Sequence, residues 1–558
     1  MADLRGLGVS PGMAAGPVRR MGERVPEPPH DVTAGNADAE IAEATDALGA
    51  VAADLESRGE RAGGDAEDVL SAQAMMARDP GLAEAVDKAI HKGHSAARAV
   101  FEAFGSYRDV LAGAGEYMAG RVADLDDVRD RVVARLLGVP MPGVPESAEP
   151  FVLVAHDLAP ADTAFLDPAK VRGFVTEEGG PTSHSAILAR SLGLPAVVAC
   201  PGATTIVDGT VVIVDGASGE VRVDPSADEL GAVRQAAAAR HATQAVTGPG
   251  ATADGHKVPL LANIGGPSDI AAAVAAGAEG VGLFRTEFLF LDRADEPTAE
   301  EQEAAYRQVL AAFPDGKVVV RVLDAGADKP LPFLPAPSAE ANPALGVRGI
   351  RMLRHSPGLL DRQLAALVTA AGAGGARLEV MAPMVADVAE ARWFAGRCRA
   401  AGLTEGVGVM VEVPAAALRA VHIAAEVEFV SIGTNDLAQY AFAADRMLGA
   451  LAHLQDPWQA ALLDLVALTA AATAGAGRRT GVCGEAAADP ALACVLVGMG
   501  VNTLSMGAAS IALVRAALSR HTTDQCAAAA TAARAAVTAG DARSAAREHL
   551  TGLADVGL

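Results

Sequence analysis

The sequence predicts an α/β multidomain protein that ends in a (β/α)₈ TIM barrel, and three observations lead there. First, the C-terminal half carries eight short apolar runs separated by helical patterns, at 258–263, 280–284, 318–323, 378–383, 408–413, 429–433, 480–484 and 503–506. Eight such units over about 280 residues match a barrel of ordinary size. Second, polar residues recur at or just past the ends of these runs: Asn263, Arg285, Arg321, Glu412, Asn435, Asp436, Cys483 and Glu485. An open doubly wound sheet would fit the alternation nearly as well but would spread these side chains along an edge. A barrel gathers them at one mouth. Third, the N-terminal half changes character twice, from β-like to alanine-rich helical and back, so a helical unit interrupts a smaller α/β unit.

Taken in order, residues 1–22 hold a short strand-like piece and the glycine loop Gly6-Leu7-Gly8-Val9-Ser10-Pro11-Gly12, and Val25-Pro26-Glu27-Pro28-Pro29 breaks the chain. Helical periodicity with little β-branching follows at 41–55, 66–76, 81–90, 96–111 and 116–137, a small bundle closed by Val139-Pro140-Met141-Pro142-Gly143. β-rich runs at 151–155, 173–176, 196–199, 210–214 and 221–223 mark the returning α/β unit. A helix at 226–246 and Thr247-Gly248-Pro249-Gly250 lead into the barrel. The expected domains are 1–24 with 144–225, the bundle 25–143, a helical linker 226–256, and the barrel 257–558.

Composition narrows the class. Of 558 residues 51% are hydrophobic but only 3% aromatic, which suits thin aliphatic cores in a helix-rich α/β protein. A net charge of −24 argues against nucleic-acid binding. The five cysteines, Cys200, Cys398, Cys483, Cys494 and Cys526, show no paired or metal-ligand spacing, so free thiols in a reducing compartment are expected. The N-terminus lacks a signal-peptide pattern and no apolar run is expected to reach membrane-spanning length, so a cytoplasmic chain without membrane insertion is expected.

The stretch Gly179-Gly180-Pro181-Thr182-Ser183-His184 stops a strand and starts a helix, with Thr182 or Ser183 as the cap. His184 then stands in the first turn, beside free N–H groups and the positive end of the dipole. Such a setting favours a neutral imidazole next to an anion, as a phosphate acceptor requires. At the barrel mouth, Arg285 and Arg321 are planar donors for phosphate and carboxylate, and Arg446 is a third candidate clamp. Glu412 and Asp436 offer oxygens from adjacent strands to a hard cation such as Mg²⁺. Cys483, between Val482 and Gly484, could protonate a carbanion or enolate. His184 does not lie on the barrel, so the reading requires domain motion through residues 225–256.

Five motifs resemble Enzyme I of the phosphoenolpyruvate-dependent sugar phosphotransferase system across nearly the whole chain. They are Gly179 to His184, Gly280-Val281-Gly282-Leu283-Phe284-Arg285-Thr286-Glu287-Phe288, Met410-Val411-Glu412-Val413-Pro414, Ser431-Ile432-Gly433-Thr434-Asn435-Asp436-Leu437 and Gly481-Val482-Cys483-Gly484-Glu485. The resemblance implies a phosphohistidine domain, a helical domain that docks a histidine-containing phosphocarrier protein, and a phosphoenolpyruvate-binding barrel that forms a homodimer. It implies that His184 takes the phosphoryl group, that Arg285, Arg321, Asn435 and Arg446 hold substrate beside Asp436, that Glu412 and Asp436 bind Mg²⁺, and that Cys483 protonates the enolate to pyruvate. Thr163 matches a position near the active histidine. The chain departs from the family at Pro181, at Ala325 and Ala327, and at Asp126 in Ala123-Asp124-Leu125-Asp126-Asp127, where an arginine is common; the last puts docking contacts in doubt. Competing readings are a phosphoenolpyruvate synthase or dikinase, for which no nucleotide-binding segment is found, a regulatory phosphotransferase paralogue, and an inactive scaffold, which would have no use for His184 and Cys483.

Overall fold

The computed structural model describes all residues except 1–2, 11, 22–24, 31–35, 63, 114–121, 140–142, 146, 159–165, 168, 181–182, 244–245, 292, 328, 335–339, 404 and 447. The N-terminal strands β1 (Leu4–Arg5), β2 (Leu7–Ser10) and β3 (Met13–Arg20) join β4 (Phe151–Ala155), β5 (Val171–Thr176), β6 (Ala196–Val198), β7 (Val211–Asp215) and β8 (Glu220–Val223) in one mixed sheet. Its order is β1-β8-β7-β3-β4-β5-β6-β2. One sheet face buries Phe151, Leu153, Phe174 and Ala186, and the other buries Val18, Val152, Val175 and Val214. The long strand β3 escapes the sequence pattern because Met13-Ala14-Ala15-Gly16-Pro17 has little β preference. Pairing with β7 on one side and β4 on the other overrides it.

Between the parallel neighbours β3 and β4 the chain leaves the sheet and builds a bundle. Its helices are α1 (Ala37–Ala62), α2 (Gly64–Ala77), α3 (Pro80–His91), α4 (Ala96–Gly113) and α5 (Val122–Leu137). Leu48, Leu55, Leu70, Val86, Val100, Phe104, Val128 and Val132 meet in its core. Asp79 starts α3, its Oδ1 accepting from the Leu82 N–H at 2.8 Å with Pro80 in the first turn, where a missing N–H costs nothing. The helix expected at 116–137 is described from Val122 onward.

Helix α6 (His184–Leu192) crosses from β5 to β6, and α7 (Ala227–Thr243) leads out of the sheet unit. Eight parallel strands then close on themselves: β9 (Leu260–Ile264), β10 (Gly280–Arg285), β11 (Lys317–Arg321), β12 (Arg377–Ala382), β13 (Val407–Val411), β14 (Phe429–Ile432), β15 (Arg479–Val482) and β16 (Thr503–Met506), with β16 pairing back to β9. Leu283, Val319, Met381, Met410, Phe429 and Cys483 fill the interior, a packed core rather than a pore. One expectation is corrected. The segment Leu451–Gly475 reaches the length and mean hydropathy (1.2) of a membrane span. It is a 3₁₀ turn, Gly449–Gln455, followed by the helix Ala460–Gly475, whose Leu462, Leu463 and Val466 are buried in the barrel core. Alanine and leucine on a core helix produce the same hydropathy as a spanning one.

Candidate active site at the barrel mouth

The C-terminal ends of β10 to β15 bring the sequence-selected residues together. Arg321, the last residue of β11, is 6% exposed; its guanidinium pairs with Glu287 and lies 3.3 Å from Asp324. Burial opposes its charge, yet the carboxylates of Glu287, Asp324, Glu412 and Asp436 outweigh burial and hold Arg321 above its ordinary range. Asp324 in turn accepts from Arg348 Nη2 at 2.8 Å. Burial pushes the Asp324 carboxyl up, but Arg321, Arg348 and Lys329 win and keep it below the usual carboxylate range.

Glu412 follows β13 and is 1% exposed, with Oε1 accepting from the Met384 N–H at 2.5 Å. Met384 has φ 58°, a left-handed conformation unusual for a side chain with a Cβ. Burial first, then the charges of Asp436 and Asp324, push the Glu412 carboxyl up to about 8, against the pull of Arg321 and the Met384 N–H. Asp436 sits in the first turn of the helix Thr434–Ala441. Its Oδ2 accepts from Arg446 Nη1 at 3.3 Å; its buried Oδ1 lies 3.5 Å from Arg348 Nη1 and has no hydrogen-bond partner among the described residues. Glu287 Oε2 is buried and without a partner in the same sense. Two carboxylates that act on each other's charge, an orphaned oxygen and a carboxyl raised first by burial and then by its neighbours' charge form a donor set that fits a hard cation.

Arg285 ends β10, exposed, and no hydrogen bond or ion pair among the described residues holds it. Asn435 uses its Oδ1 to accept the Glu485 N–H at 3.1 Å, which ties the helix Thr434–Ala441 to the loop after β15. Gly484 permits that approach, since a Cβ there would lie 1.9 Å from Thr434 Oγ1. Cys483, just past β15, is 3% exposed. Ser431 Oγ donates to its sulfur at 3.2 Å, and burial, with Glu412 adding, pushes the thiol up to about 11 against Ser431, Arg321 and Arg285. At neutral pH the sulfur carries its proton.

Ser183 caps α6, its Oγ accepting from the Ala186 N–H at 3.3 Å, and His184 is the first helical residue. The His184 side chain, Pro181, Thr182 and Thr163 lie outside the described residues. The helix itself rests on the barrel. A Cβ at Gly180 would stand 3.5 Å from Ala452 Cβ and 4.0 Å from the Arg446 carbonyl oxygen, and Arg190 Nε lies 3.0 Å from Glu485 Oε2.

Sequence reasoning assigned no role to Glu287, Asp324, Arg348 or Ser431. Glu287 and Ser431 stand inside motifs it quoted, and Asp324 lies three residues beyond Arg321. Arg348 had no signal, because it enters from the segment before the helix Ile350–His355 and not from a strand end.

Three family models match the chain. Residues 5–121 match the PEP-utilising enzyme N-terminal model, 147–219 the PEP-utilising enzyme mobile domain, and 239–523 the PEP-utilising enzyme PEP-binding domain. A Streptomyces coelicolor protein named phosphoenolpyruvate-protein phosphotransferase is 64% identical over 98% of this chain and 99% of its own length. Proteins of the same name are 44% identical in Haloferax volcanii, over 93% of this chain and 94% of theirs, and 39% identical in Bacillus subtilis, over 93% and 95%. With matches along its full length and a mouth that gathers the predicted polar set, the chain belongs to the Enzyme I family of phosphoenolpyruvate-protein phosphotransferases.

Proposed function

We propose that this protein transfers a phosphoryl group from phosphoenolpyruvate to His184 and from there to the histidine of a phosphocarrier protein, the first step of sugar-uptake phosphorylation. The observation that carries the reading is the Cys483 thiol buried just past β15, within reach of the charges of Glu412, Arg321 and Arg285, with the His184 helix held to the following loop through Arg190 and Glu485. Arg285 is the guanidinium left to meet substrate charge; Arg321 and Arg446 are braced by carboxylates and add positive potential beside it. Asn435 acts by holding the loop that carries Cys483. His184 attacks phosphorus in line, the bond from phosphorus to the enol oxygen breaks, and the methylene carbon of the enolate takes the Cys483 proton to give pyruvate. Water then restores the thiol.

Glu412 and Asp436 are the residues that would hold Mg²⁺, consistent with the orphaned Asp436 oxygen and the raised Glu412 carboxyl. When bound, the cation neutralises charge on substrate oxygens. We divide the chain into a phosphohistidine domain (1–24 and 144–225), a phosphocarrier-docking bundle (25–143), a linker (226–256) and a phosphoenolpyruvate-binding barrel (257–558). We further assign it to the cytoplasm, as a homodimer joined through the barrel.

Incubation with labelled phosphoenolpyruvate and Mg²⁺ tests the reading: acid-labile, base-stable label is expected, absent in His184→Ala. Label that survives in His184→Ala, or that requires ATP, overturns it.

A further inference from the structure

We infer that Arg190 and Glu485 form a docking latch that sets the His184 helix on the barrel for the phosphoenolpyruvate half-reaction alone; the inference rests on the function proposed above. Arg190 belongs to α6, in its last turn, and its Nη1 also donates to the Val9 carbonyl oxygen at 3.2 Å, which fixes the side chain to its own domain. Glu485 stands two residues after Cys483, and its backbone N–H is held by Asn435 at 3.1 Å. The Arg190 side chain and the Glu485 backbone are thus each held within their own domain where the 3.0 Å contact forms.

The surroundings separate this pair from an ordinary surface ion pair. Arg190 is 15% and Glu485 36% exposed in the side chain, at the edge of a cleft that both domains line. On the His-domain side the cleft meets Val9 and Gly216; on the barrel side it meets Leu462 and Leu513. Besides the packing of α6 on the barrel helix Ala508–Ser519, a second close approach is Gly180 against Ala452 and the Arg446 carbonyl, ahead of His184. One contact lies before the helix and the other near its end. Together they fix where the helix lies and how it is rotated. Neither partner belongs to the set proposed to hold substrate or cation, so both are positioning residues.

A helix that must serve two sites needs a contact it can release. An ion pair between domains, screened by salt and worth little when exposed, meets that need better than a large apolar interface. The same Glu485 is tied through Asn435 to the helix Thr434–Ala441 that presents Asp436, so docking of α6 and order at the substrate site are joined by one backbone hydrogen bond.

The test is single-turnover labelling of the full-length protein by phosphoenolpyruvate, compared with discharge of the phosphorylated protein to a phosphocarrier. Arg190→Gln and Glu485→Gln should each slow labelling about five-fold with the KM for phosphoenolpyruvate unchanged, as expected for a partly exposed interdomain ion pair. Discharge in Glu485→Gln should stay at the wild-type rate. The wild-type labelling rate should fall with added KCl more steeply than that of either variant. The exchange of both residues, Arg190→Glu with Glu485→Arg, should recover most of the rate, which a merely structural role would not do. Wild-type labelling rates in both single variants, or a double exchange slower than either, would overturn the latch. Absence of labelling in the wild-type protein would instead overturn the function on which it rests.

Discussion

Ser431 in β14 and Cys483 just past the neighbouring strand β15 are joined by a 3.2 Å hydrogen bond in which the hydroxyl donates to the sulfur. The bond favours thiolate, but burial in the barrel interior dominates and keeps the thiol up to about 11. A donor that remains protonated well above neutral pH suits an enolate acceptor, which is a far stronger base than water.

Alkylation of Cys483 should follow from that balance. The thiolate is the reactive form, so labelling by iodoacetamide should be slow at pH 7.5 and should climb as pH approaches 11. Ser431→Ala removes the one bond that lowers the thiol and should slow labelling further at each pH. Peptide mass spectrometry reads both.

Replacing Cys483 by Ser should reduce pyruvate formation on the order of 10²-fold or more, the range for loss of a positioned acid, and leave the KM for phosphoenolpyruvate little changed. Rapid-quench measurement of pyruvate checks it. An unchanged rate would remove Cys483 from the reaction.

Glu412 makes Mg²⁺ stabilisation depend on pH. Its carboxyl is raised from 4.5 to about 8 in the folded, cation-free protein. A raised group contributes stability that is full below its unfolded value and is lost as pH rises through the folded one. The cation-free protein should therefore weaken between about pH 5 and 8, and Mg²⁺ should raise Tm more at pH 8.5 than at pH 6. Scanning calorimetry with EDTA or Mg²⁺ at the two pH values decides it, and Glu412→Gln should abolish the difference.

Asp324 sits between two guanidiniums, 2.8 Å from Arg348 Nη2 and 3.3 Å from Arg321 Nη1. Asp324→Ala would leave both cations buried with less compensation, at a cost of about 3–5 kcal/mol. Chemical denaturation should show the loss, and Asp324→Asn should lose less because its amide oxygen still accepts.

Gly484→Ala should impair catalysis without touching a reactive group. The added methyl would meet Thr434 Oγ1 at 1.9 Å and the Thr434 nitrogen at 2.7 Å. Relief of that overlap must move the Cys483 loop or the Asp436 helix, at about 1–3 kcal/mol. The kcat should fall more than Tm does.

The barrel was readable because parallel strands buried on both faces are continuous aliphatic runs, and β16 (Thr503–Met506) coincides with its expected span. Strands β11 to β13 begin one residue before their apolar runs, where Lys317, Arg377 and Val407 open the ladder. The site was readable where a motif ends a strand, as at Arg285, Arg321 and Cys483. Arg348 was not, because a residue outside the strand ladder reaches the mouth only through tertiary folding. The spacing of Glu412 and Asp436 suggested a shared cation, but the raised state of Glu412 depends on Asp324 as well, a third charge that no linear pattern connects to the pair. Strand β3 was missed for a simpler reason: a Gly-Pro pair argues against a strand unless partners exist on both sides.

Those partners arrive late in synthesis. Strand β3 pairs with β7 through Met13–Asp215 and Pro17–Val211, and β1 pairs with β8 through Leu4–Val221. These pairings wait about 200 residues, and that of β3 Val18 with β4 Val152 about 130, long loops to close before any contact repays them. The bundle, by contrast, is complete by Leu137 and draws on local helix contacts. On a ribosome the order is therefore bundle, then sheet, then barrel. A nascent chain arrested near residue 180 would carry a folded bundle on two unpaired ends, and a protease should trim it to that core.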